Sequence, residues 1–214
     1  GTSSLRAYKL GPAGVVLELR SLAWGIMHLP SEPRDIGGVH CSDGFELAFD
    51  AACGDWLEAQ PGLPVIACGM VGSAQGWSEA AYRHTPVDVA RLGQALHKVR
   101  SLRGVDVHIV PGVIEQVGLP NVMRGEETQV LGVLPGLGAD VLIGLPGSHS
   151  KWVEVVDGCI THFDTFMTGE LFAVLSKHSI LGRTQQPSER FQAEAFDRGV
   201  QVALSKDGQR GVLS

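Results

Sequence analysis

The segment LPGSHSKWVEVVDGCITHFDT, from Leu145 to Thr165, decides the fold because it has a counterpart at the start of the chain. The counterpart is GTSSLRAYKLGPAGVVLELRS, from Gly1 to Ser21. In both, a run of Gly and hydroxyl residues leads into two short segments of partial apolar alternation, which predict β-strands. The residues between those segments, Gly11–Gly14 and Asp157-Gly158, predict tight hairpin turns. The repeated plan indicates a duplicated architecture.

The chain between the two hairpins changes from alternating to helical spacing of its apolar residues. Each predicted helix there lies next to a short apolar run that predicts a strand. Between the hairpins the predicted helices cover residues 45–56, 92–102 and 125–134, and the predicted strands cover Pro64–Gly69, Val105–Gly112 and Val141–Leu145. Two further helices, at 171–178 and 188–204, are predicted after the second hairpin.

The amino-acid composition and net charge indicate which kinds of ligand the protein binds. The 214 residues are 44% hydrophobic and 19% charged, which is enough apolar side chain to bury a large core in one or two domains. The net charge is −6 with no block of Lys or Arg, so the footprint of a nucleic-acid or anionic-membrane partner is missing. We find no apolar run long enough to cross a bilayer and no signal peptide. Small solutes are the favoured ligands.

The cysteines and histidines do not indicate a metal site. The four cysteines show no CxxC pattern, so we expect reduced, mostly buried thiols and a cytoplasmic protein. None of the eight histidines has a partner at metal-ligand spacing. The sequence also contains no GxxxxGK[ST] loop, which disfavours a P-loop kinase.

A duplicated unit with Gly and hydroxyl turns in both first hairpins resembles the actin, hexokinase and Hsp70 class of ATP-using proteins. The resemblance implies an α/β fold of two ribonuclease H-like, actin-like ATPase domains, each with a mixed five-stranded sheet and helices. It places a sugar-acid-binding domain at residues 1–138. It places the start of a nucleotide-binding domain at residues 139–214, without its C-terminal strands.

Four segments narrow the resemblance to one family. Across nearly the whole chain they are similar to the 2-dehydro-3-deoxygalactonokinase family. This implies transfer of the ATP γ-phosphate to the C6 hydroxyl of 2-dehydro-3-deoxy-D-galactonate in galactonate catabolism. Mg²⁺ would be carried by ATP and not by a protein metal site, and a homodimer is a candidate assembly. The segments are CGMVGSAQGW (Cys68–Trp77), NVMRGEETQVLG (Asn121–Gly132), LPGSHSKWV (Leu145–Val153) and MTGELFAVL (Met167–Leu175).

The sequence departs from the family at both ends. In the family the first turn reads Asp-Trp-Gly-Thr or similar, whereas this sequence begins at the Gly. The family also continues beyond position 214 with strands that hold adenosine. We therefore expect the chain to lack parts at both ends, and as a 214-residue fragment to show no ATP turnover.

The two Gly and hydroxyl turns are the predicted phosphate sites, because a glycine-rich turn exposes successive amide donors to an anion. Lys151 and Arg6 occupy neighbouring offsets and could add positive charge, although side chains this far along a strand could also point to solvent. The residues that the resemblance assigns to phosphate are Gly1, Thr2, Ser3, Gly147, Ser148, His149 and Lys151.

Glu126 and Glu127 are the candidates for the general base. A sugar hydroxyl is a poor nucleophile, and a carboxylate within hydrogen-bond reach can take its proton as the phosphate bond forms. First-turn acids also stabilise a helix by about 0.3–1 kcal/mol without doing chemistry. Because adjacent helical residues point about 100° apart, only one of the two should face the substrate. We favour Glu126.

The sugar acid needs a cationic or amide anchor for its carboxylate, and Arg124 is the main candidate. An ion pair between Arg124 and one of the two glutamates is the alternative. The segment after Pro64–Gly69 lies at the carboxyl end of a strand, where open α/β sheets bind ligands, and a turn with a buried Trp is the less favoured alternative. Thr168 could simply cap a helix. The predicted substrate residues are Gly69, Met70, Gly72, Ser73, Trp77, Arg124, Thr168, Gly169 and Glu170.

Two other functions fit the same fold class. One is a phosphatase or nucleotide hydrolase, in which water replaces the sugar hydroxyl. The other is a non-catalytic nucleotide- or sugar-binding module. The preference between the galactonate-derived acid and its gluconate-derived epimer depends on a single hydroxyl, which sequence patterns do not locate.

Overall fold

The computed structural model describes residues 1–183 and 190–205 and shows a mixed α/β fold. The helices are α1 (Gly44–Ala59), α2 (Glu126–Val133), α3 (Thr168–His178), α4 (Ile180–Arg183) and α5 (Ala193–Leu204). The strands are β1 (Leu5–Leu10), β2 (Val16–Leu22), β3 (Arg34–Ile36), β4 (Val39–Cys41), β5 (Val65–Ala67), β6 (Arg83–His84), β7 (Val87–Asp88), β8 (His97–Arg100), β9 (Asp106–Ile109), β10 (Val113–Glu115), β11 (Asn121–Met123), β12 (Val141–Leu145), β13 (Ser150–Val156) and β14 (Cys159–Phe166).

Both predicted hairpins are confirmed. Strands β1 and β2 pair antiparallel, and so do β13 and β14. Asp157 and Gly158 form the second turn with φ of 49° and 72°, the left-handed values that a two-residue turn of type I′ requires. The inward-facing residues of the second hairpin, Val153, Val155, Ile160 and Phe163, are all buried.

The strands are distributed over five small sheets. Their orders are β1-β2, β3-β4, β5-β9-β8, β11-β10-β6 and β12-β13-β14-β7. No sheet within residues 1–183 and 190–205 has five strands, so the mixed five-stranded sheet that we predicted is not observed there. Half of the strands have three residues or fewer, and such strands offer few backbone groups for a wide, continuous ladder.

The helix predicted over residues 92–102 is wrong. The chain forms a short 3₁₀ segment at Val89–Ala95 and then strand β8, which pairs antiparallel with β9. Lys98 and Arg100 on β8 both donate to Asp106 on β9 at the solvent-facing side of this pair. The apolar residues of this segment are at helical spacing, but pairing of His97–Arg100 with β9 overrides that local pattern.

The other predicted helices are confirmed where the chain is described. Helix α1 begins after Asp43, whose carboxylate accepts the Phe45 and Glu46 amide hydrogens at 2.8 and 3.2 Å. Helices α2 and α3 match the ranges 125–134 and 171–178. Helix α5 matches the last predicted helix, of which residues 188 and 189 lie outside the described residues.

The largest core cluster is built on the second hairpin. It joins the inner face of β13 and β14 to residues of β10, β11 and helix α2. Met123 at the end of β11 is 1% exposed and Val130 of α2 is 0% exposed. The segment between them, residues 124–129, is therefore held between two buried anchors, and it contains several of the candidate site residues.

The chain divides into two compact units, residues 1–169 and 170–214. The domain boundary predicted at 138/139 falls inside the first unit and stays a prediction. The described part of the second unit consists of helical segments with many exposed apolar side chains. Within the described ranges, every helix is too short or too polar to span a bilayer.

Candidate active site

The start of helix α2 carries both predicted acids, and each folds back onto the chain before it. Glu126 accepts the Arg124 amide hydrogen on Oε2 at 3.0 Å. Glu127 accepts the Gly125 amide hydrogen on Oε2 at 2.7 Å and the Thr128 hydroxyl on Oε1 at 3.0 Å. The two carboxylates therefore satisfy amide groups at a helix start that would otherwise lack acceptors.

The surroundings of the two acids differ. Glu127 is fully buried, both of its oxygens accept hydrogen bonds, and burial raises the pKa of its carboxyl. Glu126 is half-buried, and its Oε1 has no hydrogen bond to any residue that the structure describes. Only Glu126 keeps an oxygen available to an incoming hydroxyl group.

Arg124 is a buried cation with 8% of its surface exposed. Its Nη2 donates to the Ala80 carbonyl at 2.8 Å, and its guanidinium stacks on the Tyr82 ring at 4.3 Å from the centroid. Nε and Nη1 are buried without a partner, and in the described part of the chain neither glutamate forms the alternative ion pair with this guanidinium. Each unsatisfied donor costs about 1–3 kcal/mol, so the site is incomplete without an acceptor.

The segment that contains Gly69 and Gly72 packs against Arg124 and Gly125. A Cβ on Gly125 would lie 3.2 Å from the Gly69 Cα, and a Cβ on Gly72 would lie 3.0 Å from Arg124 Nη1. The Met70–Gly72 segment forms a 3₁₀ turn, in which Ser73 Oγ donates to the Met70 carbonyl at 2.8 Å. The structure therefore brings this predicted substrate segment next to the predicted carboxylate anchor.

Trp77 lies in a different environment from these glycines. Its ring packs against Phe49 of α1, with centroids 5.3 Å apart, at the edge of an apolar cluster on β9. Trp77 is only partly buried there, so the contact agrees with the packing of the alternative interpretation but not with a fully buried Trp. A role for Trp77 in lining the substrate site remains a prediction.

Gly125 is required by its backbone conformation, which a variant can test. Its φ of 113° is unfavourable for any residue with a Cβ, and the close Gly69 backbone leaves little space. We expect Gly125→Ala to lower the free energy of unfolding by about 1–3 kcal/mol. Gly132, inside helix α2, has nothing within 4 Å of its Cβ position.

Gly132→Ala is the matched control, and it should stabilise the protein by about 0.5–1 kcal/mol because alanine favours helix. Thermal and urea unfolding of both variants measures the difference. Equal effects of the two substitutions would contradict the strain assigned to Gly125.

The second Gly and hydroxyl turn is tied to the start of α3. Gly147 donates its amide hydrogen to Ser150 Oγ at 3.2 Å, and the hydroxyls of Ser150 and Thr168 are hydrogen-bonded to each other. The Gly147 carbonyl accepts from the Thr168 hydroxyl at 3.3 Å and from the Gly169 amide at 3.1 Å. Thr168 and Gly169, predicted as substrate residues, therefore contact the predicted phosphate turn.

The remaining residues of this turn are exposed. His149 Nδ1 and Ser148 Oγ are 3.4 Å apart. Both side chains are at the surface, as is Glu170, which belongs to the second unit.

Lys151 is a second buried cation. It is 5% exposed, and its Nζ donates to the Val122 carbonyl and to Thr165 Oγ1, both at 2.7 Å. Thr165 in turn donates to Asn121 Oδ1 at 2.6 Å. Burial lowers the pKa of Lys151, and the charge of Glu126 acts in the opposite direction. No described carboxylate lies within ion-pair distance of Nζ, so this charge lacks a direct counter-ion.

The Gly1–Ser3 segment runs beside residues 25–27. The Gly1 and Thr2 carbonyls accept the Ile26 and Met27 amide hydrogens at 3.2 and 3.4 Å. The Thr2 and Ser3 side chains are exposed, and so is Arg6 on β1.

The four cysteines are free thiols, but the expectation that they are mostly buried is wrong. Cys41 is buried, Cys53 and Cys159 are partly buried, and Cys68 is exposed by surface area. Cys68 ends the apolar run next to the glycine segment, where the chain turns away from the sheet. The apolar residues before Cys68 therefore wrongly predicted that its side chain is buried.

Several contacts of this site have no local signal in the sequence. Ala80 and Tyr82 contact the Arg124 side chain, Thr165 accepts from Lys151, and Asn121 accepts from Thr165. Thr165 faces Lys151 across the hairpin, so the strand register could have located it. Tyr82 meets Arg124 only through tertiary packing.

A surface groove of about 730 Å³ lies elsewhere, on the outer face of β12, β13 and β14. It is lined mainly by apolar and acidic side chains and contains none of the candidate site residues. In the described part of the chain, no three His, Cys, Asp or Glu side chains are grouped as a metal site. The candidate site is therefore marked by its buried polar groups and not by the shape of the surface.

Comparisons with known proteins cover nearly the whole chain. A family model described as 2-keto-3-deoxy-galactonokinase matches residues 1–213. The probable 2-dehydro-3-deoxygalactonokinase of Rhizobium meliloti (strain 1021) is 37% identical over 195 residues, which are 90% of this chain and 60% of that protein. The 2-dehydro-3-deoxygalactonokinase of Escherichia coli (strain K12) is 39% identical over 152 residues, which are 71% of this chain and 49% of that protein.

A solved structure resembles the fold. A crystal structure from Sinorhizobium meliloti, described as a candidate 2-dehydro-3-deoxygalactonokinase, superposes with a TM-score of 0.79 at 36% identity. The match covers 94% of this chain and 64% of the crystallised chain. The chain thus spans between about half and two thirds of the length of the proteins that it matches.

Proposed function

The chain belongs to the 2-keto-3-deoxy-galactonokinase family, and we propose on that basis that the protein carrying it is an ATP-dependent sugar-acid kinase. The proposed reaction transfers the ATP γ-phosphate to the C6 hydroxyl of 2-dehydro-3-deoxy-D-galactonate. Because the chain spans only part of its relatives, the activity, the substrates and the cytoplasmic location all belong to this proposal.

One observation carries the proposal: near the start of α2, a half-buried carboxylate has two buried cations in its neighbourhood, and neither cation forms an ion pair with any residue in 1–183 or 190–205. Glu126 is the carboxylate, and Arg124 lies two residues before it. Lys151 interacts electrostatically with Glu126. Buried charges are usually paired, so two unpaired cations favour a ligand with two anionic groups. A sugar acid and a phosphate chain supply one each.

Glu126 is the proposed general base. As the C6 oxygen forms its bond to the γ-phosphorus, the bond from that phosphorus to the ADP oxygen breaks, and the hydroxyl proton passes to Glu126 Oε1. Glu127 shapes the helix start through its bonds to Gly125 and Thr128. This division of roles is supported by the burial of Glu127 and the unoccupied oxygen of Glu126.

Arg124 is the proposed anchor of the substrate carboxylate. Its unpaired Nε and Nη1 donors support this assignment. The sugar acid would lie along Gly69, Met70, Gly72 and Ser73, with Trp77 as a more distant wall. The packing of Gly69 and Gly72 on the Arg124-Gly125 segment supports that placement.

The phosphate chain would be bound by the two Gly and hydroxyl turns. We assign Gly147, Ser148, His149 and Lys151 to one side and the Gly1–Ser3 segment to the other, facing each other. Thr168 and Gly169 would support the Gly147 turn, with which they share hydrogen bonds. Glu170 keeps the substrate role that the family resemblance implies.

ATP and Mg²⁺ are the proposed cosubstrate and ion. Mg²⁺ often keeps water and phosphate oxygens as ligands, so the proposal assigns it no protein side chain. The duplicated actin-like architecture, with domains at 1–138 and 139–214, and assembly as a homodimer complete the proposal.

A coupled assay of ADP formation tests the function. We expect ADP release in the presence of ATP, Mg²⁺ and 2-dehydro-3-deoxy-D-galactonate, and none with the 6-deoxy analogue, which lacks the attacking hydroxyl. A panel of 2-keto-3-deoxy acids, including the gluconate-derived epimer, measures stereochemical preference. ADP release at the same rate without any sugar acid would identify a nucleotide hydrolase instead.

A further inference from the structure

Tyr82 contacts the proposed carboxylate anchor but belongs to none of the four segments on which the sequence resemblance was based. Its ring lies under the Arg124 guanidinium, 4.3 Å from the central carbon. A buried cation over an aromatic face is held in place by the negative charge of the ring surface. The contact therefore sets the plane in which the Arg124 donors lie.

The Tyr82 ring is itself held by the backbone around it. The next residue, Arg83, donates its amide hydrogen to the Gly112 carbonyl at 2.8 Å. A Cβ on Gly112 would lie 2.6 Å from Tyr82 Cε1, so the absence of a side chain there makes room for the ring. Ala80, two residues earlier, donates to the Gly72 carbonyl at 3.0 Å and accepts from Arg124 Nη2.

The segment from Ala80 to Tyr82 thus holds the Arg124 guanidinium by one hydrogen bond and one ring contact. In the described part of the chain, the guanidinium nitrogens Nε and Nη1 have no acceptor. Such an arrangement orients a cation without neutralising it. It suits a site whose acceptor arrives with a ligand, because a prearranged donor loses less freedom on binding.

We infer that Tyr82 is a positioning residue for the substrate carboxylate, which it serves by fixing the plane of the Arg124 guanidinium. The inference rests on the proposed function, since it takes Arg124 to bind the sugar acid. Both unpaired nitrogens are buried in this conformation, so the guanidinium is already oriented but binding of the carboxylate requires a local movement that exposes these two nitrogens.

Binding of the sugar acid to the protein that carries this chain tests the inference by isothermal titration calorimetry without ATP. We expect Tyr82→Leu, which removes the ring face, to weaken binding of 2-dehydro-3-deoxy-D-galactonate about tenfold. Tyr82→Phe keeps the ring and should bind within about twofold of the unsubstituted protein. If Tyr82→Leu does not fold by circular dichroism, Tyr82→Met takes its place.

The methyl ester of the same acid separates positioning from packing. It keeps the keto group and every hydroxyl but has no carboxylate, so Tyr82→Leu should leave its affinity unchanged. An equal loss for acid and ester would overturn the inference, and so would unchanged acid binding by both the Leu and the Met variant.

The two proposals can fail separately. Acid binding that depends on the ring, without ADP formation when ATP is added, would reject the kinase and keep the positioning role. ADP formation together with acid binding that does not depend on the Tyr82 ring would support the kinase and reject the positioning role. No binding of the acid to the unsubstituted protein would overturn the inference.

Discussion

Glu126→Gln should lower kcat for phosphorylation of the sugar acid by about 10²- to 10⁴-fold, the usual contribution of a general base. The amide can still accept the Arg124 amide hydrogen that Glu126 Oε2 accepts, so the helix start should keep its conformation. It cannot take the proton from the C6 hydroxyl. Steady-state kinetics with both substrates measures the loss, which should fall on kcat while both KM values stay nearly unchanged.

Glu127→Gln is the matched control because it alters the neighbouring carboxylate. Glu127 uses both oxygens to accept hydrogen bonds, and a glutamine has only one acceptor oxygen. We expect a loss of about 1–3 kcal/mol in the free energy of unfolding and a much smaller fall in kcat than in Glu126→Gln. The reverse order of kcat losses would transfer the role of base to Glu127.

Lys151→Met should lower kcat/KM for ATP by about 10²- to 10³-fold, as expected for the loss of one charged group that stabilises the transferring phosphate. Methionine fills a similar volume but removes the Nζ bonds to Val122 and Thr165. The KM for the sugar acid should change little, which separates a phosphate role from a general loss of structure. Unchanged kcat/KM for ATP would refute the phosphate role.

Lys98→Met is the control for loss of a positive charge. Lys98 is exposed and interacts with Asp106 on the protein surface, so its replacement should leave both kinetic constants unchanged.

Activity that depends on charged Lys151 should also have an alkaline limit. Burial lowers the pKa of this lysine, and the rate should therefore fall as the pH rises through that lowered pKa.

Local patterns predicted the elements whose causes are local. The Asp157-Gly158 turn, the alternation in β13 and β14, and the start of α1 after Asp43 each depend on residues close in sequence. The helix prediction for residues 92–102 failed because the structure of this segment has a non-local cause. Its apolar spacing suits a helix, but a partner strand distant in sequence, β9, supplies the hydrogen bonds that make His97–Arg100 a strand.

The candidate site divides in the same way. The sequence by itself determined that Glu126 and Glu127 begin a helix and that Lys151 follows a Gly and hydroxyl turn, because chain direction and helix-start chemistry are set by adjacent residues. Only the tertiary structure decided which carboxylate is fully buried and that Arg124 rests on Tyr82 instead of pairing with a glutamate. Burial and ring contacts depend on side chains that folding brings together from distant positions, and no short pattern records them.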